Sequence, residues 1–342
     1  MAGKRRFSGP LRPGTKSVRT RVAKKPRGGL NKTEKKQTKA IVKNAIKKDN
    51  ALKYFDVDVS NAAVVPAVSI TADKKEVSVI AFSSTSDMGP GAVQAEKYGP
   101  QDFVPLYMTR TFKDSNPVEA LQRQAPNGQF VLPKRATCTF SIERVAYNVA
   151  HAQGGTPQPT PNMARSLPIS YRILKIGFKN TTGTQVVPDI NTELFIDSRG
   201  QPVGINSNNF DRLDCRMAPI NTKLFVKLMD MRGTINQNNI ITPADFAGQL
   251  TDIVQQKNGS SNKHINCSFM LSNRKNGKLF YEDPNDVGKV SFDSGGRREL
   301  ILMHYWYDNA HNLTGGDGQP LAPTGADIQI KFKPTAAFVD CQ

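Results

Sequence analysis

Acidic side chains are almost missing from the first fifty residues of this 342-residue chain, where only Glu34 and Asp49 stand against 17 lysines and arginines. That imbalance excludes a charge-neutral globular segment there. Aromatic rings are also scarce, with Phe7 the only one before Tyr54, so base stacking is not written into this stretch. The four cysteines, Cys138, Cys215, Cys267 and Cys341, have no C-x-x-C spacing; they read as free thiols, with a pair distant in sequence still able to meet in space, and not as a zinc or redox motif. No apolar run approaches the roughly 20 residues that span a bilayer, and none follows the basic N-terminus as a secretory leader would. The expectation is a soluble chain with no membrane partner, whose N-x-S/T sequons at Asn31, Asn180, Asn258, Asn266 and Asn312 go unused. Among catalytic signatures, G-x-S-x-G, H-E-x-x-H, the Walker A loop and G-x-G-x-x-G are all missing, and a non-enzyme is expected.

What is present is charge in one place. The net charge is +18, of which residues 1–50 hold +15 and the remaining residues only +3. Such a division describes an arm for a polyanion joined to a nearly neutral domain. In residues 1–30 the basic positions Lys4, Arg5, Arg6, Arg12, Lys16, Arg19, Arg21, Lys24, Lys25 and Arg27 are punctuated by Gly, Pro, Ser and Thr. Too little apolar surface accompanies them to offset the entropy of ordering, which predicts a disordered basic arm. Lysine and arginine on a flexible chain neutralise phosphates and release counterions, so binding is sequence-blind and weakens with salt. A solubilising or nuclear-targeting tail is the plainer reading of the same residues.

From Asn31 the character changes. Asn31 and Glu34 have capping-box spacing, and Ile41, Val42, Ala45 and Ile46 recur at helical intervals. The spacing predicts a basic amphipathic helix over about 33–48, within a helix and linker segment 31–50. Its lysines Lys35, Lys36, Lys39 and Lys43 join the candidate nucleic-acid contacts. The narrow apolar row lacks aromatics, which argues against membrane insertion; docking on its own domain is the alternative.

Beyond residue 50 the period becomes two. Phe55, Val57 and Val59 alternate with Tyr54, Asp56 and Asp58, the pattern of a half-buried strand. Further strands are expected at 76–83, 103–112, 136–149, 168–180, 192–197, 222–232, 264–272, 278–281, 299–307 and 327–333. Loops rich in Gly, Pro, Asn and Thr separate them, notably 84–102, 150–167, 198–221 and 308–326. Short helices are expected after Asn116-Pro117 and after Thr242-Pro243, the second with Phe246, Leu250, Ile253 and Val254 as its stripe. Neither serves as a crossover in an alternating series, which excludes the doubly wound and barrel α/β folds. The fold class is all-β: a β-sandwich over 51–342 with surface insertions such as 236–262.

Candidate sites in that domain are sparse. His304, Asp308 and His311 lie close in sequence, with His304 in an apolar strand; His151 and His264 stand apart. Ser294-Gly295-Gly296-Arg297-Arg298 has the composition of a phosphate cradle, and of an ordinary turn. Asp56 with Asp58, and Asp211 with Asp214 in a loop, are paired carboxylates that suit calcium, although solvated acids are the commoner case.

A basic arm of this length, then Lys53-Tyr54-Phe55-Asp56, then strands with long loops, resembles the capsid proteins of small eukaryotic circular single-stranded DNA viruses. The long loops look more like the bacilladnaviruses of diatoms, with a nodavirus-like fold, than like the compact circoviruses. The resemblance implies an eight-stranded antiparallel jelly roll, a shell of 60 or 180 copies of this chain, and an arm on the genomic single-stranded nucleic acid. It places the chain in the virion and, during assembly, in the host nucleus, with an unidentified host receptor as a further partner. The autocatalytic Asp and cleaved Asn of nodavirus coats have no matched positions here. Fifteen charges per arm make about 900 in a shell of 60 and about 2,700 in one of 180. Phosphate contacts do not distinguish DNA from RNA, so a single-stranded RNA coat protein stays open. So do a cellular nucleic-acid-binding β-protein and an enzyme acting on nucleic acid.

Overall fold

The strands follow from alternation wherever one face meets water, and from unbroken apolar runs where both faces are covered. The computed structural model describes residues 31–49, 52–55, 60–84, 97–109, 130–145, 147–149, 167–179, 188–236, 238–241, 254–257, 260–272, 277–280, 297–308, 314 and 318–340. Two compact units are present, residues 1–51 and 52–342. The first contributes helix α1 (Lys32–Asp49).

The second unit is a sandwich of two six-stranded sheets. Sheet one contains β1 (Lys53–Tyr54), β2 (Ser60–Ala63), β6 (Phe130–Arg144), β9 (Asn262–Ser268), β10 (Leu279–Phe280) and β12 (Ile328–Asp340). Its order is β1-β12-β6-β9, with β2 also on β12 and β10 also on β6. Sheet two contains β3 (Val65–Val68), β4 (Lys74–Ser83), β5 (Val104–Pro105), β7 (Ile169–Phe178), β8 (Phe225–Ile235) and β11 (Glu299–Tyr307). Its order is β8-β7-β11-β4-β3, with β5 parallel to β4 and every other pair antiparallel.

Setting aside the two-residue β1, β5 and β10, and β3, which adds only to the edge of sheet two on β4, leaves eight strands. Numbered along the chain, they are ordered 1-8-3-6 in sheet one and 5-4-7-2 in sheet two, the order of two interlocked Greek keys in a jelly roll. The expected all-β sandwich is therefore present, with twelve strands in its two sheets among the described residues.

Between the sheets lies the main core. Phe82 of sheet two meets Phe140 and Phe332 of sheet one edge-on, at 4.9 and 5.1 Å between ring centres, the arrangement that ring quadrupoles favour. A second core lies on the opposite face of sheet two. There Leu174, Ile176, Leu300 and Leu302 pack under Ile190, Leu194, Phe195, Phe210 and Ile220, all from the β7–β8 connection. This explains why β11 is buried along its whole length. A strand covered on both faces loses its alternation. Sheet one keeps its alternation, since its outer face is open to solvent.

Several expected elements are corrected. Thr192 and Glu193 belong to a short helix, α2 (Ile190–Glu193), because the Asp189 side chain accepts from the Asn191 amide and starts a helical turn; only Phe195–Ile196 is strand. Residues 198–221 are not a plain loop. They hold strand Pro202–Val203 and helix α3 (Arg212–Met217). Strand β12 passes through Pro334, where an end at 333 was expected: β2 leaves it after Phe332 and β1 joins at Ala337. Proline's missing N–H therefore falls in the gap between partners. Val254 lies in strand Val254–Lys257, not in a helix. The remainder of that expected helix and the whole of the one after Pro117 lie outside the described residues.

Candidate nucleic-acid interface

Helix α1 begins as its sequence dictates. The Asn31 amide donates to Glu34 Oε2 and the Glu34 amide to Asn31 Oδ1, both at 2.8 Å, a reciprocal capping box. The helix runs one residue beyond the expected 33–48 at each end. Residues 31–42 are exposed throughout, including Lys35, Lys36 and Lys39, and also Ile41 and Val42. At 100° per residue, positions 32, 35, 36, 39, 43 and 47 share a sector of about 120° over ~22 Å of helix. Lysines three and four apart repel by about 0.2–0.5 kcal/mol per pair, a repulsion that a polyanion, if bound, would relieve. The Lys43 side chain and the arm positions Lys4, Arg5, Arg6, Arg12, Lys16, Arg19, Arg21, Lys24, Lys25 and Arg27 lie outside the described residues.

The paired carboxylates fare differently. Asp56 and Asp58 lie outside the described residues. Asp211 and Asp214 are not in a loop: they form the capping box of α3, the Asp214 amide donating to Asp211 Oδ1 at 2.8 Å and the Asp211 amide to Asp214 Oδ2 at 3.3 Å. Their sequence spacing is thus explained by a helix start, without calcium. Among the described residues no three His, Cys, Asp or Glu side chains are grouped as metal ligands. Of the expected phosphate cradle, Ser294–Gly296 lie outside the description. Arg297 pairs with Glu299 at 3.0 Å, and Arg298 donates to Ser83 Oγ at 3.0 Å.

Two buried charge clusters were not foreseen. Arg172, on β7, is fully buried. Its Nε and Nη2 donate to the two Asp230 carboxylate oxygens at 3.0 and 2.9 Å, and its Nη1 to the Cys215 and Ala218 carbonyls at 2.8 Å. It closes the C-terminal end of α3 and clamps the β7–β8 connection onto sheet two. The backbone carbonyl of the same residue accepts from His304 Nδ1 at 3.2 Å, while the Tyr98 hydroxyl lies 2.6 Å from Nε2. A carbonyl only accepts, so the Nδ1 proton is fixed and Tyr98 donates to Nε2. Burial holds the His304 pKa down at about 3. At the other end of β7, Lys175 pairs with Glu299 at 2.5 Å and donates to the Ser268 carbonyl, tying sheet two to sheet one.

Lys75 completes the interior set. It donates to the carbonyls of Ser207 and Phe210, and burial lowers its pKa to about 8 against the opposing pull of Asp211. The available signal was a charge inside an apolar run, Ile169-Ser-Tyr-Arg-Ile-Leu-Lys-Ile176. A charge on a strand covered on both faces must find a partner within the fold. His264 sits exposed on β9, as a solvated histidine does. The chain matches no family model and no curated protein.

Proposed function

We propose that this chain is the coat protein of a small icosahedral virus, with a sandwich that builds the shell and a basic N-terminal segment that binds the packaged single-stranded genome. One observation carries the reading: a jelly-roll strand order is preceded by fifty residues holding +15 of the +18 net charge. Jelly rolls occur in viral capsid, lectin and cupin proteins. A polyanion-binding arm of this density is what a shell protein needs to condense a genome inside it. Shell formation also calls for a unit that keeps its shape under lateral contact. The clamps at Arg172 and Lys175 fit that demand by fixing the connection to the sandwich and the two sheets to each other. A DNA genome, copy numbers of 60 or 180 and assembly in the host nucleus follow from the resemblance to the circular single-stranded DNA virus capsids.

The test is electron microscopy of the full-length protein expressed with nucleic acid. Uniform closed particles whose diameter fits 60 or 180 subunits are the expected outcome. Discrete small complexes on nucleic acid, with no closed shell over a range of salt and pH, would replace this reading with a cellular nucleic-acid-binding β-protein.

A further inference from the structure

The two outer surfaces of the sandwich differ in charge. Over sheet two, the connection 188–224 carries five acids and four basic residues. Among the described residues the outer face of sheet one has exposed Lys134, Arg135, Lys331 and Lys333, with Glu143 as its acid. The registers set these side chains in rows. Lys331 stands between Asn61 and Ser141, and Lys333 beside Thr139, whose other neighbour is Asn266. The two lysines are about 7 Å apart along β12, and hydroxyl and amide side chains stand beside them on the neighbouring strands. Among the described residues only Lys331 has a carboxylate close by, Glu143 at 3.4 Å, with both side chains well exposed. Such a pair is weak in water and gives way readily to phosphate.

We propose that the outer face of sheet one is a second nucleic-acid contact, centred on Lys331 and Lys333, that takes the phosphate backbone of the single strand the N-terminal segment holds. This rests on the nucleic-acid reading above. The occupant follows from charge complementarity. A second copy docked face to face about a two-fold axis would set these lysines against their own counterparts. At one end of the same face Phe130, 42% exposed, lies 5.0 Å from Phe280 and has the Lys278 ammonium over its ring. Exposed rings beside cations offer bases a stacking surface, which favours nucleic acid over a sulfated polysaccharide.

The experiment is salt-dependent binding of the full-length protein to a labelled 30-nucleotide oligo-dT, read by anisotropy. Lys331→Gln/Lys333→Gln removes two phosphate contacts and is expected to reduce the slope of log K against log salt by about 1.4, at roughly 0.7 per contact on a single strand. Thr139→Glu, which adds an acid between the rows, is expected to weaken binding at low salt. Both sites are exposed, so melting temperatures stay at the wild-type value. Lys24→Gln/Lys25→Gln, in the arm, runs in parallel. If only the arm variant lowers the slope, the sheet-one contact is overturned and the arm reading stands. If neither does, the nucleic-acid reading itself falls. A loss of slope for a heparin fragment but not for the oligonucleotide overturns the proposal in favour of a polysaccharide.

Discussion

His304 illustrates how a residue that invites a catalytic reading is held by its surroundings. With no solvent exposure and both ring nitrogens engaged, it stays neutral in the folded chain down to a pKa of about 3. An unfolded histidine takes up its proton near pH 6.5. Between these values the unfolded chain binds more protons, so stability is fully present above pH 6.5 and falls as the pH drops toward 3, by up to about 1.4 kcal/mol per unit. Urea titrations at pH 7, 6, 5 and 4 are expected to show this slope, and His304→Gln is expected to remove that share of it. An identical slope in the variant would assign the acid sensitivity elsewhere. Arg172 sets a second prediction. Arg172→Met leaves two helix-end carbonyls without their donor and Asp230 with only the longer contact to Arg232 at 3.4 Å, a loss of stability on the order of 3 kcal/mol in urea denaturation. The sequence places both residues in strands but cannot name their partners, because Asp230, Cys215 and Tyr98 lie 58, 43 and 206 positions away from the groups they meet.

At the scale of elements, legibility tracked burial on one face or two. Strand 299–307 stands where its large apolar residues, interrupted only by His304 after Glu299, place it, and β7 lies within the expected 168–180. Elements of the β7–β8 connection were missed because their stability comes from docking, not from period. Helix α2 is a single turn and α3 under two, below the length at which periodicity carries information. Gly204 exposes the tightness of that docking. A Cβ there would lie 2.2 Å from the Asn191 carbonyl oxygen, so Gly204→Ala forces the backbone apart at a cost of about 1–3 kcal/mol. The expected signature is local: hydrogen exchange accelerates in 188–224 while the amides of β6 and β12, on the other sheet, keep their protection. Uniform acceleration across both sheets would mean instead that the connection and the sandwich unfold as one unit.

At the scale of the whole molecule the candidate interface was the most legible feature, since charge asymmetry needs no tertiary information. The sheet-one face was not, because Lys331, Lys333, Thr139 and Asn266 become neighbours only through the strand order. The proposed division of labour sets the last prediction. Replacing the ten basic residues between Lys4 and Arg27 with glutamine lowers the charge of the first fifty residues from +15 to +5, while leaving the sandwich and its clamps untouched. If shell building belongs to the sandwich and genome capture to the basic segment, particles still close. Their nucleic-acid content, read from the 260 to 280 nm absorbance ratio of purified particles, is then expected to fall by roughly two thirds, in proportion to the phosphates neutralised. Unchanged content would move genome capture onto other surfaces. Loss of particles would show that closure itself needs the polyanion as a counter-charge, since fifteen positive charges on each of many neighbouring copies repel one another until phosphate offsets them.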